Sequence, residues 1–453
     1  MKARHTMDMT TGSITKKMLV FVFPLIVTNI LQHLYGAADS AIVGRFAGKT
    51  ALAAVGATTS ATGLLTNLLI GIGVGGSIVN SNLLGARKFN DLRKSMHTGI
   101  VLSAICGVGL MVLGIVVCKP LLMLMQCPDN ILEQATLYMR IIFCGIPGSI
   151  LYNFAAGIMR THGDSKRPML VISISGLVNL LLNLLFVIVF KMSVAGVGIA
   201  TVISNYLSAA WLLFILLDPK DEFKLTMREM KLHKEQTVNI MKVGIPCAIN
   251  SMVFSLSNVT VSASINTFGD TVIAGSTAAT QISTFLNQII SAFYTACITF
   301  AGQCYGAGKY KRVNRVMWIG SGYCMLIVAF LSVIITIAPG FFIGLFNTEP
   351  DVIYAGSRKL ILICWSFVLY SSSDVVLGCL RGIKKTAIPT TLNIFCVCVV
   401  RILWVFFICP IRPDSYMLVY WCYPISYICS MTSLLAYYLY CKKRFPAENT
   451  IVV

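Results

Sequence analysis

Apolar residues follow one another along this chain in long runs separated by short polar breaks, without the period-2 alternation of a half-buried or barrel strand. Gly99 to Cys118 carries no charge, and neither does Met169 to Phe190. Runs of that length exceed the core helix of a soluble domain and match the ~20 residues that cross a bilayer. In hydrocarbon each backbone N–H and C=O needs a partner within the chain, so the runs read as helices. They predict twelve spans, near 18–41, 51–83, 96–118, 132–158, 169–190, 194–217, 238–266, 271–304, 316–342, 356–379, 387–409 and 415–440. The expected fold is all-α and integral to the membrane. The apolar run after the basic segment Met1 to Lys17 is longer than a signal-peptide core, so it reads as a retained first helix.

Composition agrees. Of 453 residues 57% are hydrophobic and 12% charged, half the ~25% that a soluble domain carries. The net charge of +19 sits in clusters beside the apolar runs, as membrane-flanking charges do, and no soluble basic face with interleaved aromatics points to nucleic acid. With the N-terminus placed inside, the cytoplasmic segments hold 27 lysines and arginines and the external segments and outer span ends hold 8. That asymmetry predicts both termini in the cytoplasm of a multi-pass plasma-membrane protein.

The chain repeats itself at an offset of 221 residues. Gly48 meets Gly269, Gly99 meets Gly320, Gly157 and Arg160 meet Gly378 and Arg381, and Pro168 meets Pro389. Gly85-Ala86-x-Lys88 meets Gly306-Ala307-x-Lys309, and Pro24 meets Pro246 one residue out of register. Two pseudo-symmetric six-helix bundles are expected, 1–217 and 238–453 with its short basic tail, joined by a charged cytoplasmic linker at 218–237. Six spans per half is an even number, so the repeats are parallel, and rocking of one half against the other is the usual consequence.

Of 17 acidic residues only Asp39 and Asp374 fall well inside spans. A carboxylate at mid-span costs about 2.5–3.5 kcal/mol on insertion scales, and such residues face protein or a watery cavity. Thr28, Gln32, Tyr35 and Asp39 share one helix face, with the helix-breaking Pro24 near it. Such a stripe suits a cation or proton site and equally suits interhelical hydrogen bonding. Ser175, Asn179 and Asn183 recur at i, i+4 and i+8, and Thr201 lies in the next span. Amide oxygens suit a hard cation, and amides also bind helices together. In the second half Asp374 pairs with Asn153 across the repeat, while Asp39 has no twin. Ser371, Asp374, Gly378 and Arg381 share a face, as do Gln281, Thr284 and Gln288. Arg401 lies inside the eleventh span, where a pairing with Asp374 is one option.

Enzyme signatures are missing: there is no H-E-x-x-H, P-loop or G-x-S-x-G, and no paired-aspartate motif for magnesium and diphosphate. Gly71-Ile72-Gly73-Val74-Gly75-Gly76 lacks the βαβ context of a dinucleotide loop and reads as close helix packing. The 16 cysteines form no C-x-x-C pair and read as buried hydrophobes. No enzyme activity, resident cofactor or structural metal is expected.

The stretch Tyr35 to Gly44 and the run Gly157-Ile158-Met159-Arg160-Thr161-His162-Gly163-Asp164-Ser165-Lys166-Arg167-Pro168 resemble the multidrug and toxic compound extrusion (MATE) transporters, as does Leu380-Arg381-Gly382 with Pro389. The resemblance covers nearly the whole chain and is to the prokaryotic branch related to DNA-damage-inducible members. It implies export of drugs, toxic metabolites or organic cations by alternating access, driven by entry of Na+ or H+. It also implies a coupling-cation site of Asp39, Tyr35, Asn179, Asn183 and Thr201, with Asn183 standing where that branch often has Asp. Asp374, Gln281, Gln32 and Asn153 are candidates for a substrate or second coupling site, and Pro24 for the conformational hinge. The expected cargo is a cationic amphipathic small molecule, handled by a monomer among membrane lipid. The alternative is a flippase for lipid-linked oligosaccharide or related lipid cargo.

Overall fold

The computed structural model describes residues 7–125, 127–218, 224–412 and 414–446, and the backbone alone of 59–61, 64, 65 and 67–69. Lys2, Arg4 and Lys220, which count towards the charge asymmetry, lie outside the described residues, as does part of the 218–237 linker. Among the described residues there is no strand. Eleven helices are long and apolar enough to cross a membrane: α1 Ile14–Ala47, α3 Phe89–Leu124, α4 Asp129–Thr161, α5 Lys166–Val189, α6 Ser193–Leu216, α7 Lys234–Phe268, α8 Asp270–Gly306, α9 Tyr310–Ile337, α10 Pro350–Gly382, α11 Ala387–Ile411 and α12 Tyr416–Lys443. The remaining expected span is α2, Lys49–Gly85, a helix of 37 residues.

Most helices outrun their apolar segments because hydropathy does not register polar turns beyond the hydrocarbon. α3 begins at Phe89 rather than near 96 and ends at Leu124 rather than near 118. The ninth span is the exception. It stops at Ile337, before the expected 342, because Ala338 leaves helical geometry (φ −135°, ψ 58°) and Pro339 opens a separate short helix, Pro339–Gly344. The repeat is visible in the junctions. Gly48 between α1 and α2 and Gly269 between α7 and α8 adopt φ of 91° and 86°, a backbone region that side chains resist.

The chain forms two compact units. One comprises Phe23–Leu84 and Lys88–Ala248; the other comprises Met9–Val22, Gly85–Arg87 and the chain from Ile249 onward. α1 and α7 therefore each contribute to both, and each changes unit beside a helix proline, Pro24 or Pro246. A proline removes one i→i−4 hydrogen bond, so both crossings sit where the helix is easiest to bend.

Within each unit the central helices are the most covered. The apolar window of α4 is 61% buried, and those of α8 and α10 are 67% and 61%, against 33% for α3, α5 and α6. The uncovered faces are aliphatic; on α3 they include Val112, Leu113 and Val116, as lipid contact requires. Glycine sets the spacing at the closest crossings. A Cβ on Gly71 would stand 2.3 Å from Ala248 Cα, and one on Gly75 would stand 2.6 Å from Gly244 Cα. The glycine-rich segment of α2 thus packs against α7. In the second unit α8 and α10 cross at Gly275 and Gly356, where an added Cβ on Gly275 would meet the Gly356 nitrogen at 2.7 Å. Helices held by dispersion and close backbone contact depend on such positions.

Gly275→Ala is expected to destabilise the second unit by about 1–3 kcal/mol through overpacking. Gly322→Ala, with open space around its Cβ position, should be neutral or slightly stabilising. Thermal unfolding of the purified variants in detergent distinguishes the two.

Candidate coupling-cation and substrate sites

The face that carries Asp39 is set by helical spacing on α1. Pro24 is buried at the base of the stripe, and Thr28 Oγ donates to the Pro24 carbonyl at 2.8 Å, a back-bond that bends helices. Tyr35 donates to the Ser173 carbonyl of α5 at 3.1 Å. Its ring lies against Gly176, where an added Cβ would fall 1.8 Å from Tyr35 Cε2. Only glycine at 176 lets α5 approach α1 this closely.

One turn further along, Asp39 meets α5 and α6. Asn183 Nδ2 donates to Asp39 Oδ1, and Thr201 Oγ1 donates to Oδ2 at 3.4 Å. Asn183 also donates to Asn179 Oδ1 at 3.2 Å, and Asn179 Nδ2 reaches Thr201 Oγ1 at 3.4 Å. The structure therefore brings Asp39, Asn179, Asn183 and Thr201 into one network, with Tyr35 one turn away. Asp39 forms no ion pair with any described residue. Asn183 Oδ1 and Ser175 Oγ are buried without hydrogen-bond partners among the described residues. A carboxylate, two amide oxygens and a hydroxyl on three helices form a set of hard oxygen donors. Rotating the Asn183 amide would exchange its donor for its unpartnered oxygen and turn a closed network into a cation cage. Tyr138 of α4, which sequence reasoning missed, lies within electrostatic reach of Asp39. Nothing in its apolar surroundings in the sequence sets it apart from other interfacial tyrosines.

The remaining candidates disperse. Gln32 and Gln281 are exposed on their helices, and Asn153 is half-buried with its amide donating to the Ser149 carbonyl of its own helix at 2.8 Å. Asp374 lies in the second unit beside the Tyr370 hydroxyl and within electrostatic reach of Arg381. Arg381 in turn donates to the Tyr294 hydroxyl. The optional pairing of Asp374 with Arg401 does not form. Arg401 is fully buried and donates to Asn258 Oδ1 and Ser426 Oγ, both at 3.0 Å. Its guanidinium lies over the rings of Tyr423 (4.5 Å), Tyr427 (5.0 Å) and Phe254 (5.7 Å).

Lys359, placed by sequence at an outer span end, is buried, while its neighbour Arg358 is exposed. Its Nζ donates to the Ser276 carbonyl at 2.9 Å and to the hydroxyls of Ser276 and Thr280, both at 2.7 Å. It borders a cavity of about 190 Å³, open on one side, between α7, α8, α10 and α12 of the second unit.

A family model described as MatE matches residues 24–185 and again 246–407. The chain belongs to the MatE family. Its two copies of the family repeat are offset by 222 residues at both ends, as Pro24 and Pro246 are, and one more than the pairs from Gly48–Gly269 to Pro168–Pro389 give. A "Probable multidrug resistance protein YoeA" of Bacillus subtilis is 28% identical over 439 residues, covering 95% of each chain. A "Probable multidrug resistance protein NorM" of Thermotoga maritima is 24% identical, covering 86% of this chain and 84% of that one. The solved outward-facing conformation of a multidrug resistance MATE family transporter of the MOP superfamily superposes with a TM-score of 0.88, at 20% identity, over 96% of this chain and 98% of that one. This is a likeness of fold.

Beyond Pro389 the extra residue has a structural source. π-helical turns, which take in one more residue than an α turn, occupy Ile394–Val399 and Trp404–Ile408 on α11, on either side of Arg401, whereas α5 has one, at Leu185–Val189. With that insertion Asn179 corresponds to Arg401 at the repeat offset of 222, and Thr201 to Tyr423. In the first unit these positions hold an amide and a hydroxyl beside a carboxylate. In the second they hold a guanidinium on a tyrosine ring.

Gly176→Ala should displace Tyr35, break its bond to Ser173 and lower stability by about 1–3 kcal/mol. Gly176→Ala combined with Tyr35→Leu, which removes the hydroxyl and the ring, should recover part of that loss. A double-mutant cycle of thermal unfolding in detergent measures the coupling.

Proposed function

We propose that the chain is a cation-coupled exporter of small amphipathic organic molecules, drug-like compounds and toxic metabolites among them. On this reading it sits in the plasma membrane with both termini in the cytoplasm and works as a monomer by alternating access. The observation that carries it is Asp39: a carboxylate inside a span, hydrogen-bonded by Asn183 and Thr201 and without an ion-pair partner. A charge in that setting is stabilised by binding a proton or a hard cation such as Na+, and is costly otherwise. The names of the relatives support drug export, and the repeat architecture supports rocking of two halves.

In the mechanism, Na+ or H+ entering from outside binds at Asp39, with Asn179, Asn183 and Thr201 supplying neutral oxygens. Loss of the Asn183 bond to Asp39 releases α1 from α5, and Pro24, with its missing hydrogen bond, is where α1 bends. Cargo is then released outward. Asp374 lies beside the Tyr370 hydroxyl in the second unit, apart from the Asp39 network.

The test is efflux from proteoliposomes under an imposed Na+ or H+ gradient. Wild-type chain should move cargo uphill under one of them. Asp39→Asn keeps the shape and a hydrogen-bonding amide, and should reduce gradient-driven movement to the leak rate. Uphill movement retained in Asp39→Asn overturns the reading. Absence of movement in the wild type under both gradients overturns it in favour of the lipid-linked flippase.

A further inference from the structure

The interior of the second unit sets two buried basic side chains, Lys359 and Arg401, beside a cavity. None of the cavity's lining residues is acidic, and Lys359 is among them. Asn258, Tyr423 and Tyr427 line the cavity and, from behind, cradle Arg401. Both cations are compensated only by neutral groups: hydroxyls, a carbonyl and an amide oxygen, and aromatic faces that include Tyr420, 5.2 Å from Lys359 Nζ. Neither forms an ion pair with any described residue. Arg401 Nη2 is buried and makes no hydrogen bond among the described residues. Asp374, the one mid-span carboxylate among the described residues of this unit, does not line the cavity.

Buried charge of one sign without its complement is costly, and truncating or leaving a partner absent leaves that cost in place. A hydrophobe at either position would be cheaper to insert in a membrane. The repeat sharpens the point, because Arg401 occupies in the second unit the position that Asn179 occupies in the cation network of the first. A tethered guanidinium stands where the other half has a neutral ligand for a mobile cation, so the polarity of the two sites is opposite.

We infer that the cavity of the second unit is a binding site for an aromatic acid, whose carboxylate or phosphate lies between Lys359 and the Arg401 cradle and whose ring stacks on Tyr370, Tyr423 and Tyr427. Ring centroids of Tyr370 and Tyr427 are 4.7 Å apart, and these two with Tyr423 form a continuous aromatic wall. At 190 Å³ the cavity exceeds the about 150 Å³ that holds a benzene in an engineered core. It falls below the about 300–1,000 Å³ of drug-sized pockets. It therefore takes one aryl ring with its acidic group, or that portion of a larger amphipath. The inference rests on the export reading only in treating the ligand as cargo; it divides the charges between the halves, an inorganic cation in the first and an organic anion in the second.

The test is equilibrium binding to the purified full-length chain in detergent, by calorimetric titration without any gradient. The probes are benzoate, phenyl phosphate, benzyl alcohol, benzylamine and acetate. Benzoate and phenyl phosphate should bind at least tenfold more tightly than the other three. Lys359→Gln should reduce benzoate affinity at least tenfold while leaving the elution profile and thermal midpoint near wild type. Should Lys359→Gln fail to fold, Tyr423→Leu serves as the second variant, with the same loss expected from removing the ring under Arg401. Asp39→Asn should bind benzoate as wild type does, which separates failure of this site from failure of the coupling site. Equal binding of benzyl alcohol and benzoate, preference for benzylamine, absence of benzoate binding, or benzoate affinity unchanged in the folded variants overturns the assignment.

Discussion

Asp39 is a carboxylate within a membrane span that no lysine or arginine neutralises. At roughly 2.5–3.5 kcal/mol on insertion scales, such a residue persists only if the structure around it is built to stabilise its charge. The surroundings meet that condition in detail. Gly176 lets α5 close on α1 against the Tyr35 ring. That approach sets Asn183 and Asn179 beside the carboxylate, and α6 supplies Thr201. Each contact uses a neutral group, so the charge is solvated without being cancelled.

The second unit solves the same problem in the opposite sense. The charges beside its cavity are basic, solvated by aromatic faces and hydroxyls. Cation–π contacts of this kind gain strength when desolvated, to about 2 kcal/mol or more. They leave the formal charge intact, as the hydrogen bonds at Asp39 do. The two halves of one repeat have thereby diverged in chemistry while keeping the same helices in the same order. The π turn at Ile394–Val399 is part of that divergence, while the one at Trp404–Ile408 has a counterpart at Leu185–Val189 on α5.

Much of the fold was legible because a bilayer imposes strong constraints on sequence. Uncharged runs located the helices, and Gly48 with Gly269 marked the repeat that the structure shows as matching left-handed junctions. Asp39 stood out as an acid among apolar residues, and the i, i+4 spacing of Asn179 and Asn183 placed both on one face. What stayed hidden depends on rotation and packing rather than on composition. Lys359 and Arg358 are adjacent, yet one is buried and the other exposed, and nothing local in the sequence says which. That Arg381 turns inward to the Tyr294 hydroxyl depends on a neighbouring helix. The polar side chains of Gln32 and Gln281 looked equivalent to those of the network, but no neighbouring helix approaches them closely enough to bury them.

The account's central claim is that Asp39 and its neutral partners hold a mobile cation where the second half holds a tethered one. Asn179→Arg puts into the first unit the residue that the second unit already has, and the most direct measurement is cation uptake by the purified chain. Na+ titration by calorimetry, with proton uptake followed in weak buffer, should show one bound cation in the wild type. The guanidinium should occupy that place in Asn179→Arg, which is predicted to stay folded and take up none. Undiminished Na+ or proton uptake in a folded Asn179→Arg would contradict the account.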